Sequence, residues 1–217
     1  AHTDQPERYL SGSLPPELGK LGKLEVLRIG GNEITGSIPE SFSGLTNLRH
    51  FVAQRTNLSG EFPFHIFNSD VMPHLNTLYV PFNDFSGSLP DNVYYSRHLA
   101  VFDFNFNNLS GSIPGWITEL NPKILGLGWN NFSGEIPQSG WGDMSRVRYL
   151  RFNDNDLEGP IPDTLPASEN LEYFYFQNNN LSGYISTNHG KYADSGDFPE
   201  FTYMNIGGNN FSPSDYQ

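Results

Sequence analysis

The strongest regularity along the chain is an alternation of apolar and polar positions that restarts about every 24 residues. One complete copy reads Leu24-x-x-Leu27-x-Ile29-x-x-Asn32-x-Ile34-x-Gly36-x-Ile38-Pro39, and later copies start at Leu48, Leu75, Leu99, Pro122, Val147, Leu171 and Phe201. The spacings are 24, 27, 24, 23, 25, 24 and 30 residues, after a partial unit over 9–23 that contains Leu10-Ser-Gly12-Ser-Leu14-Pro15. A fixed period of this length marks a stack of similar units, each contacting only its neighbours.

Each column of the repeat has a physical reading. Leu27/Ile29 and their counterparts Phe51/Ala53, Leu78/Val80, Phe102/Phe104, Leu125/Leu127, Leu150/Phe152, Phe174/Phe176 and Met204/Ile206 stand two residues apart. That spacing puts both side chains on one side of a short strand. The asparagines at 32, 83, 107, 130, 155, 179 and 209 follow the strand, where an amide satisfies buried backbone groups in a turn. Thr56 takes this place in the second copy, a weakening expected to be tolerated. Glycines at 36, 60, 87, 111, 134, 159 and 183 admit backbone angles closed to other residues. The proline after Ile38 and its equivalents suits the end of an extended segment. Pairs such as Phe42/Leu45 and Ile117/Leu120 read as a helical turn covering the back. Stacked, the units predict an α/β repeat solenoid over 1–217. Its concave face carries a curved parallel sheet of about eight strands, and its convex face short helical or irregular turns.

The strings GNEITGSIP, FNDFSGSLP, FNNLSGSIP, WNNFSGEIP and NNNLSGYIS resemble the plant-specific class of leucine-rich repeats. That class occurs in receptor-like kinase ectodomains and polygalacturonase-inhibiting proteins. The resemblance implies a right-handed superhelix, an extracellular or cell-surface setting, a second short sheet from the Leu/Ile-x-Gly-x-Ile-Pro segments, and a ligand on the concave or lateral face. Plant members usually carry paired cysteines in terminal caps, and this chain has no cysteine. A fragment of a longer protein attached to further domains, or a differently capped member, is therefore expected.

Composition narrows the function. With Lys+Arg 12 against Asp+Glu 24, the net charge is −12, which argues against nucleic acid as a partner. Without cysteine there is neither disulfide nor thiolate chemistry, although the compartment is left open. No apolar run is long enough to cross a bilayer, so no membrane insertion by this segment is expected.

Residues alternating with the buried pair face outward. One outward column is Arg28, Val52, Tyr79, Asp103, Gly126, Arg151, Tyr175, Asn205, and the column before it is Val26, His50, Thr77, Val101, Ile124, Tyr149, Tyr173, Tyr203. Just past the strand lie Gly31, Arg55, Phe82, Phe106, Trp129, Asp154, Asn178 and Gly208. Strands about 4.8 Å apart would make Phe82, Phe106 and Trp129 a continuous aromatic ridge, with Tyr149, Tyr173 and Tyr203 as a second ladder. Exposed aromatic surface of this size marks a binding face. The candidate ligand-binding residues are Tyr79, Phe82, Asp103, Phe106, Trp129, Tyr149, Arg151, Tyr173 and Tyr175. Since Arg28, Arg55, Asp103, Arg151 and Asp154 nearly balance, the acidity is expected on turns and the convex side, and Asp103 is expected in a solvated ion pair with Arg151.

Catalysis finds no support. The six histidines fall mostly in loops, and neither a nucleophile elbow, a phosphate-cradling loop nor a metal motif occurs. No cofactor and no metal are expected. Asp194 and Asp197 in the 186–197 insertion match no defined calcium loop, and a smaller insertion over 64–74 is expected on the convex side. Five Asn-x-Ser sequons, at Asn57, Asn108, Asn131, Asn180 and Asn210, are possible N-glycosylation sites, though Asn-Leu-Ser-Gly is also the repeat's own consensus. The leading expectation is a non-catalytic module that binds a protein or peptide on its concave face. A polysaccharide-binding module using the aromatic ridge is the alternative. An adhesion segment without a discrete ligand ranks behind both. So does ice binding, for which the outward columns are too varied.

Overall fold

A computed structural model describes residues 9–92, 95, 98–165, 170–184 and 203–212. Each repeat contributes two short strands with a tight turn between them, and the strands sort into two parallel eight-stranded sheets. The concave sheet holds β2 (Val26–Arg28), β4 (His50–Val52), β6 (Thr77–Tyr79), β8 (Val101–Asp103), β10 (Ile124–Gly126), β12 (Tyr149–Arg151), β14 (Tyr173–Tyr175) and β16 (Tyr203–Asn205). The lateral sheet, which the family resemblance implied, holds β1 (Ser11–Ser13), β3 (Glu33–Gly36), β5 (Asn57–Glu61), β7 (Asp84–Ser88), β9 (Asn108–Gly111), β11 (Asn131–Glu135), β13 (Asp156–Gly159) and β15 (Asn180–Leu181). Both run in strict repeat order.

Register in the concave sheet follows the apolar column. Leu27, Phe51, Leu78, Phe102, Leu125, Leu150, Phe174 and Met204 lie opposite one another in succession. From Phe51 to Phe174 these residues are buried, whereas Met204 is exposed. The lateral strands bury one residue each, from Ile34 to Leu181.

The expected helical turns are 3₁₀ turns, at Pro16–Lys20, Glu40–Gly44, Gly115–Glu119 and Trp141–Asp143. Among the described residues there is no α-helix. Three of the turns follow directly on a proline, Pro15, Pro39 or Pro114, and last five residues. So short a segment completes few α-type hydrogen bonds, and the tighter i→i+3 turn wins. It still delivers Phe42 and Ile117 to the core.

The asparagine column binds successive repeats together. Asn130 Nδ2 donates to its own Leu127 carbonyl at 3.1 Å and to Phe104 of the preceding repeat at 3.0 Å, while its Oδ1 accepts from Leu109 N–H at 3.0 Å. Asn107, Asn155, Asn179 and Asn209 repeat this pattern. Thr56 lacks an amide; its hydroxyl lies 3.4 Å from the Ala53 carbonyl and donates to Asn83 Oδ1. The glycine column has φ between 74° and 92°, as expected of residues that must turn left-handed.

The 64–74 insertion contributes to the core, burying Phe64, Ile66, Phe67 and Met72. The Phe62 ring just before it touches Phe64, Phe67, Phe85 and Phe104, with centroids 4.7–5.1 Å away. The 186–197 insertion, including Asp194 and Asp197, lies outside the described residues.

Candidate functional site

The aromatic ridge sits where each concave strand ends. At this position the chain is left-handed in every repeat, with φ of 70° at Gly31, 52° at Arg55, 58° at Phe82, 56° at Phe106, 51° at Trp129, 55° at Asp154, 57° at Asn178 and 66° at Gly208. Glycine, asparagine and aspartate accept this angle readily; for other L-residues it costs roughly 1 kcal/mol or more. Folding alone would favour glycine, so three successive aromatic residues here require another reason. Their rings stack face to face, Phe82 on Phe106 and Phe106 on Trp129, each at 4.1 Å and within 12° of parallel. Phe82 is 41% exposed and Trp129 39%. The Arg55 guanidinium lies 5.0 Å from the Phe82 ring centre, a cation–π contact that extends the ridge by one repeat.

A second cluster lies toward the starts of the strands. Tyr149 and Tyr173 stack at 4.6 Å and 3°. Tyr203 does not continue that ladder but meets Tyr175 of the neighbouring column at 5.0 Å and 34°. Arg151 stands between Tyr149 and Tyr175, 5.5 and 5.8 Å from their ring centres. Its Nη1 is 3.7 Å from Asp103 Oδ2.

Asp103 is not the solvated ion-pair partner that the sequence suggested; it is 2% exposed. The cause is Gly126, which stands opposite both Asp103 and Arg151 in the sheet. A Cβ there would lie 2.7 Å from Asp103 Oδ1 and 2.6 Å from Asn105 Nδ2, so the missing side chain is what lets Asp103 fold over the strand. Burial lifts its carboxyl to about 6, against the opposing pull of the Asn105 backbone N–H at 3.0 Å and of Arg151. Burial, reinforced by Asp103, also raises the Tyr79 hydroxyl above its ordinary range. Asp154 pairs with amides, accepting from Asn153 and Asn178 Nδ2 at 2.7 Å each.

All nine candidate residues thus lie on one sheet and its edge, in the ridge Phe82–Phe106–Trp129 and the group Tyr79, Asp103, Tyr149, Arg151, Tyr173 and Tyr175. The amides that the repeat sets beside the ridge, Asn105, Asn153 and Gln177, accompany them. Asn153, fully buried beside the ridge, has an Oδ1 without a protein partner, and so has Gln177 Oε1 one repeat on. Both fall in the column just before the ridge, a signal visible in the repeat alignment.

The acidity is spread over the turns and the lateral sheet: Glu17, Glu40, Asp70, Asp91, Glu119, Asp143 and Asp163 lie on turns, as expected, and Glu33, Glu61, Asp84, Glu135, Asp156 and Glu158 project from the lateral strands and are exposed. The sheet also carries the ordered hydroxyl column that the concave face lacks, including Thr35, Ser59, Ser86, Ser110 and Ser133, but carboxylates interleave with it. Asn57, Asn108, Asn131 and Asn180 open their lateral strands with exposed side chains, and Asn210 is exposed beside Asn180.

A leucine-rich-repeat family model matches residues 23–45 and 98–120. The chain is 32% identical over 158 residues to receptor-like protein 39 of Arabidopsis thaliana, which aligns with 71% of this chain. Among solved structures it is similar to the ectodomain of the Arabidopsis receptor kinase HAESA in complex with the peptide hormone IDA, at 29% identity and a TM-score of 0.76 over 94% of this chain. It is likewise similar to the plant peptide hormone receptor RGFR1 in complex with RGF2, at 28% identity and a TM-score of 0.75 over 94% of this chain. The chain spans only 17% of receptor-like protein 39, 33% of the HAESA ectodomain and 35% of the RGFR1 chain. Its repeats are leucine-rich repeats of the plant class, homologous to those of plant receptor-like proteins and receptor ectodomains.

Proposed function

We propose that this chain is a non-catalytic, extracellular recognition module that binds a peptide or a protein segment across its concave face. The observation that carries the reading is the stacked ridge Phe82–Phe106–Trp129, with Phe82 and Trp129 exposed and Phe106 half-buried between them, at left-handed positions that disfavour such side chains. Backbone strain of this kind is retained where function requires it. The ridge gives a ligand apolar area, and Arg151 with the rings of Tyr149 and Tyr175 around it offers a charged and polar contact. The complexes of HAESA and RGFR1 with peptide hormones support the same class of ligand. The polysaccharide alternative has no counterpart in these similarities and rests on the aromatic rings alone. Glycans at the five sequons belong to this extracellular reading, and their attachment would show as mass added at Asn57, Asn108, Asn131, Asn180 and Asn210.

A displayed library of random peptides, selected on the purified chain, tests the proposal. Selected peptides should bind Phe106→Ala or Arg151→Ala about tenfold more weakly or worse, as expected of a central aromatic or arginine anchor. Selected peptides that bind both variants as tightly as the parent would place the site elsewhere, and a glycan array that enriches oligosaccharides sensitive to Phe106→Ala would favour the polysaccharide alternative.

A further inference from the structure

Where the concave strands begin, Arg49, His50, His74, Asn76 and His98 line a single cleft of about 380 Å³. The repeat brings them together. His74 and His98 each precede the first leucine of a repeat, and His50 opens β4 directly opposite Thr77 of β6. Nδ1 of His50 lies 2.9 Å from the Thr77 hydroxyl, and that hydroxyl donates to Asn76 Oδ1 at 3.2 Å. With its hydrogen engaged there, the Thr77 oxygen is left to accept from His50 Nδ1–H. Asn76 Nδ2 donates to the His98 carbonyl at 2.7 Å, which ties the third histidine's loop to the cleft.

The chemistry of this cleft runs against that of the molecule. In a chain of net charge −12, it gathers a guanidinium and three imidazoles. Arg49 itself meets Glu25 at 3.3 Å, in a pair whose side chains are half-exposed or more. A solvated pair of this kind is weak, so the planar guanidinium stays available to a second carboxylate. Asn76 and Thr77, supplied by the adjacent repeat, are neutral. Among the described residues no group of three His, Cys, Asp or Glu side chains is placed to hold a metal ion, which favours the imidazoles as cations over metal ligands. Backbone hydrogen bonds continue the row from Arg49 through Asn76 and Ala100 to Lys123 and to Arg148, whose guanidinium is held by Glu172. Those four strand spacings span about 19 Å, the length of about six extended residues.

We propose that the cleft is a proton-linked subsite for a carboxylate carried on an acidic extended segment of the concave-face ligand. The segment rests on the peptide-recognition reading above; the anion site does not. Imidazole gains charge as pH falls from 8 to 5, while a glutamate side chain stays largely ionised down to about pH 5. Affinity therefore rises on mild acidification.

The test titrates the full chain with hexaglutamate and, separately, with sodium sulfate, at about pH 5.5 and about pH 7.5, following the histidine Cε1 resonances by NMR. Hexaglutamate should bind roughly tenfold tighter at the lower pH, the size expected of three added exposed ion pairs. It should shift His50, His74 and His98 while sparing His65, which pairs with Glu40 at 2.7 Å. Sulfate should shift the same three more weakly, and the exposed substitutions His74→Gln and Arg49→Gln should each reduce the pH gain. Unmoved resonances, or an equal shift at His65, would overturn the proposal, as would stoichiometric zinc moving the three rings where neither anion does. Sulfate binding with no advantage for hexaglutamate would leave an anion site but remove the acidic segment, with the peptide face still judged separately at Phe106.

Discussion

The two sheets share strand number, strand order and a common apolar interior, yet their outer surfaces differ in kind. The lateral strands repeat a hydroxyl in their third position, Thr35, Ser59, Ser86, Ser110 and Ser133, preceded two residues earlier by Glu33, Asn57, Asp84, Asn108 and Asn131. The concave columns change at nearly every repeat, from Arg28 and Val52 to Tyr79, Asp103, Gly126 and Arg151. Both surfaces face water and both are bound to the same period, so the period explains only the first. What is uniform around a solenoid belongs to the scaffold, and what breaks the uniformity on one face answers to something outside the chain. The proposed function assigns the stacked ridge to the second kind, because its φ angles make it a poor choice for the scaffold.

Breaking the shared interior should have the largest effect and should not distinguish the sheets. Phe62→Ala removes a ring in contact with four others between the two sheets. It should lower stability by about 3–5 kcal/mol in denaturant unfolding. A cost confined to loss of ligand binding, with the unfolding midpoint unchanged, would contradict the packing described here.

The concave sheet alone should show a pH signature. In the fold Asp103 keeps its proton up to about pH 6, against 3.8 ordinarily. Its contribution to stability is therefore complete below about pH 3.8 and lost as pH rises through 6, because the unfolded chain releases that proton first. Relative to Asp103→Asn, the parent should lose about 3 kcal/mol across that window, an order-of-magnitude figure readable from denaturation at a series of pH values. Parallel pH profiles for the two proteins would show that the carboxyl is not held as described.

The smallest effect on stability should be the most informative. Phe106→Gly relieves the left-handed strain but gives up two stacking contacts, terms of similar size and opposite sign. Its stability should stay within about 1 kcal/mol of the parent. Binding of a selected peptide should nevertheless fall about tenfold or more. On the lateral sheet, Ser86→Ala should change stability by less than about 0.5 kcal/mol and leave binding untouched. If Ser86→Ala weakens binding as Phe106→Gly does, the contrast between the sheets is not functional.

The repeat was legible because its columns are local in sequence: spacing alone placed all eight concave strands and the three stacked rings. What escaped depends on neighbours one repeat away. Asp103 is buried because residue 126 is a glycine, a fact no reading of its own repeat contains. Tyr203 turns to Tyr175 instead of Tyr173, which equal strand spacing does not anticipate. The convergence of His50, His74 and His98 was within reach, since two of them share a column, but histidines taken one at a time looked like loop residues. The convex turns came out as 3₁₀ because the prolines leave too few residues for an α-helix.

The asparagine column also has a direction. Each amide completes the repeat before it, receiving the N–H of Phe85, Leu109, Phe132, Leu157 or Leu181 and capping a carbonyl of the previous strand. A repeat capped in this way leaves one buried N–H and one carbonyl for its successor to satisfy. A chain cut at the end of such a unit would therefore leave these two buried groups without partners.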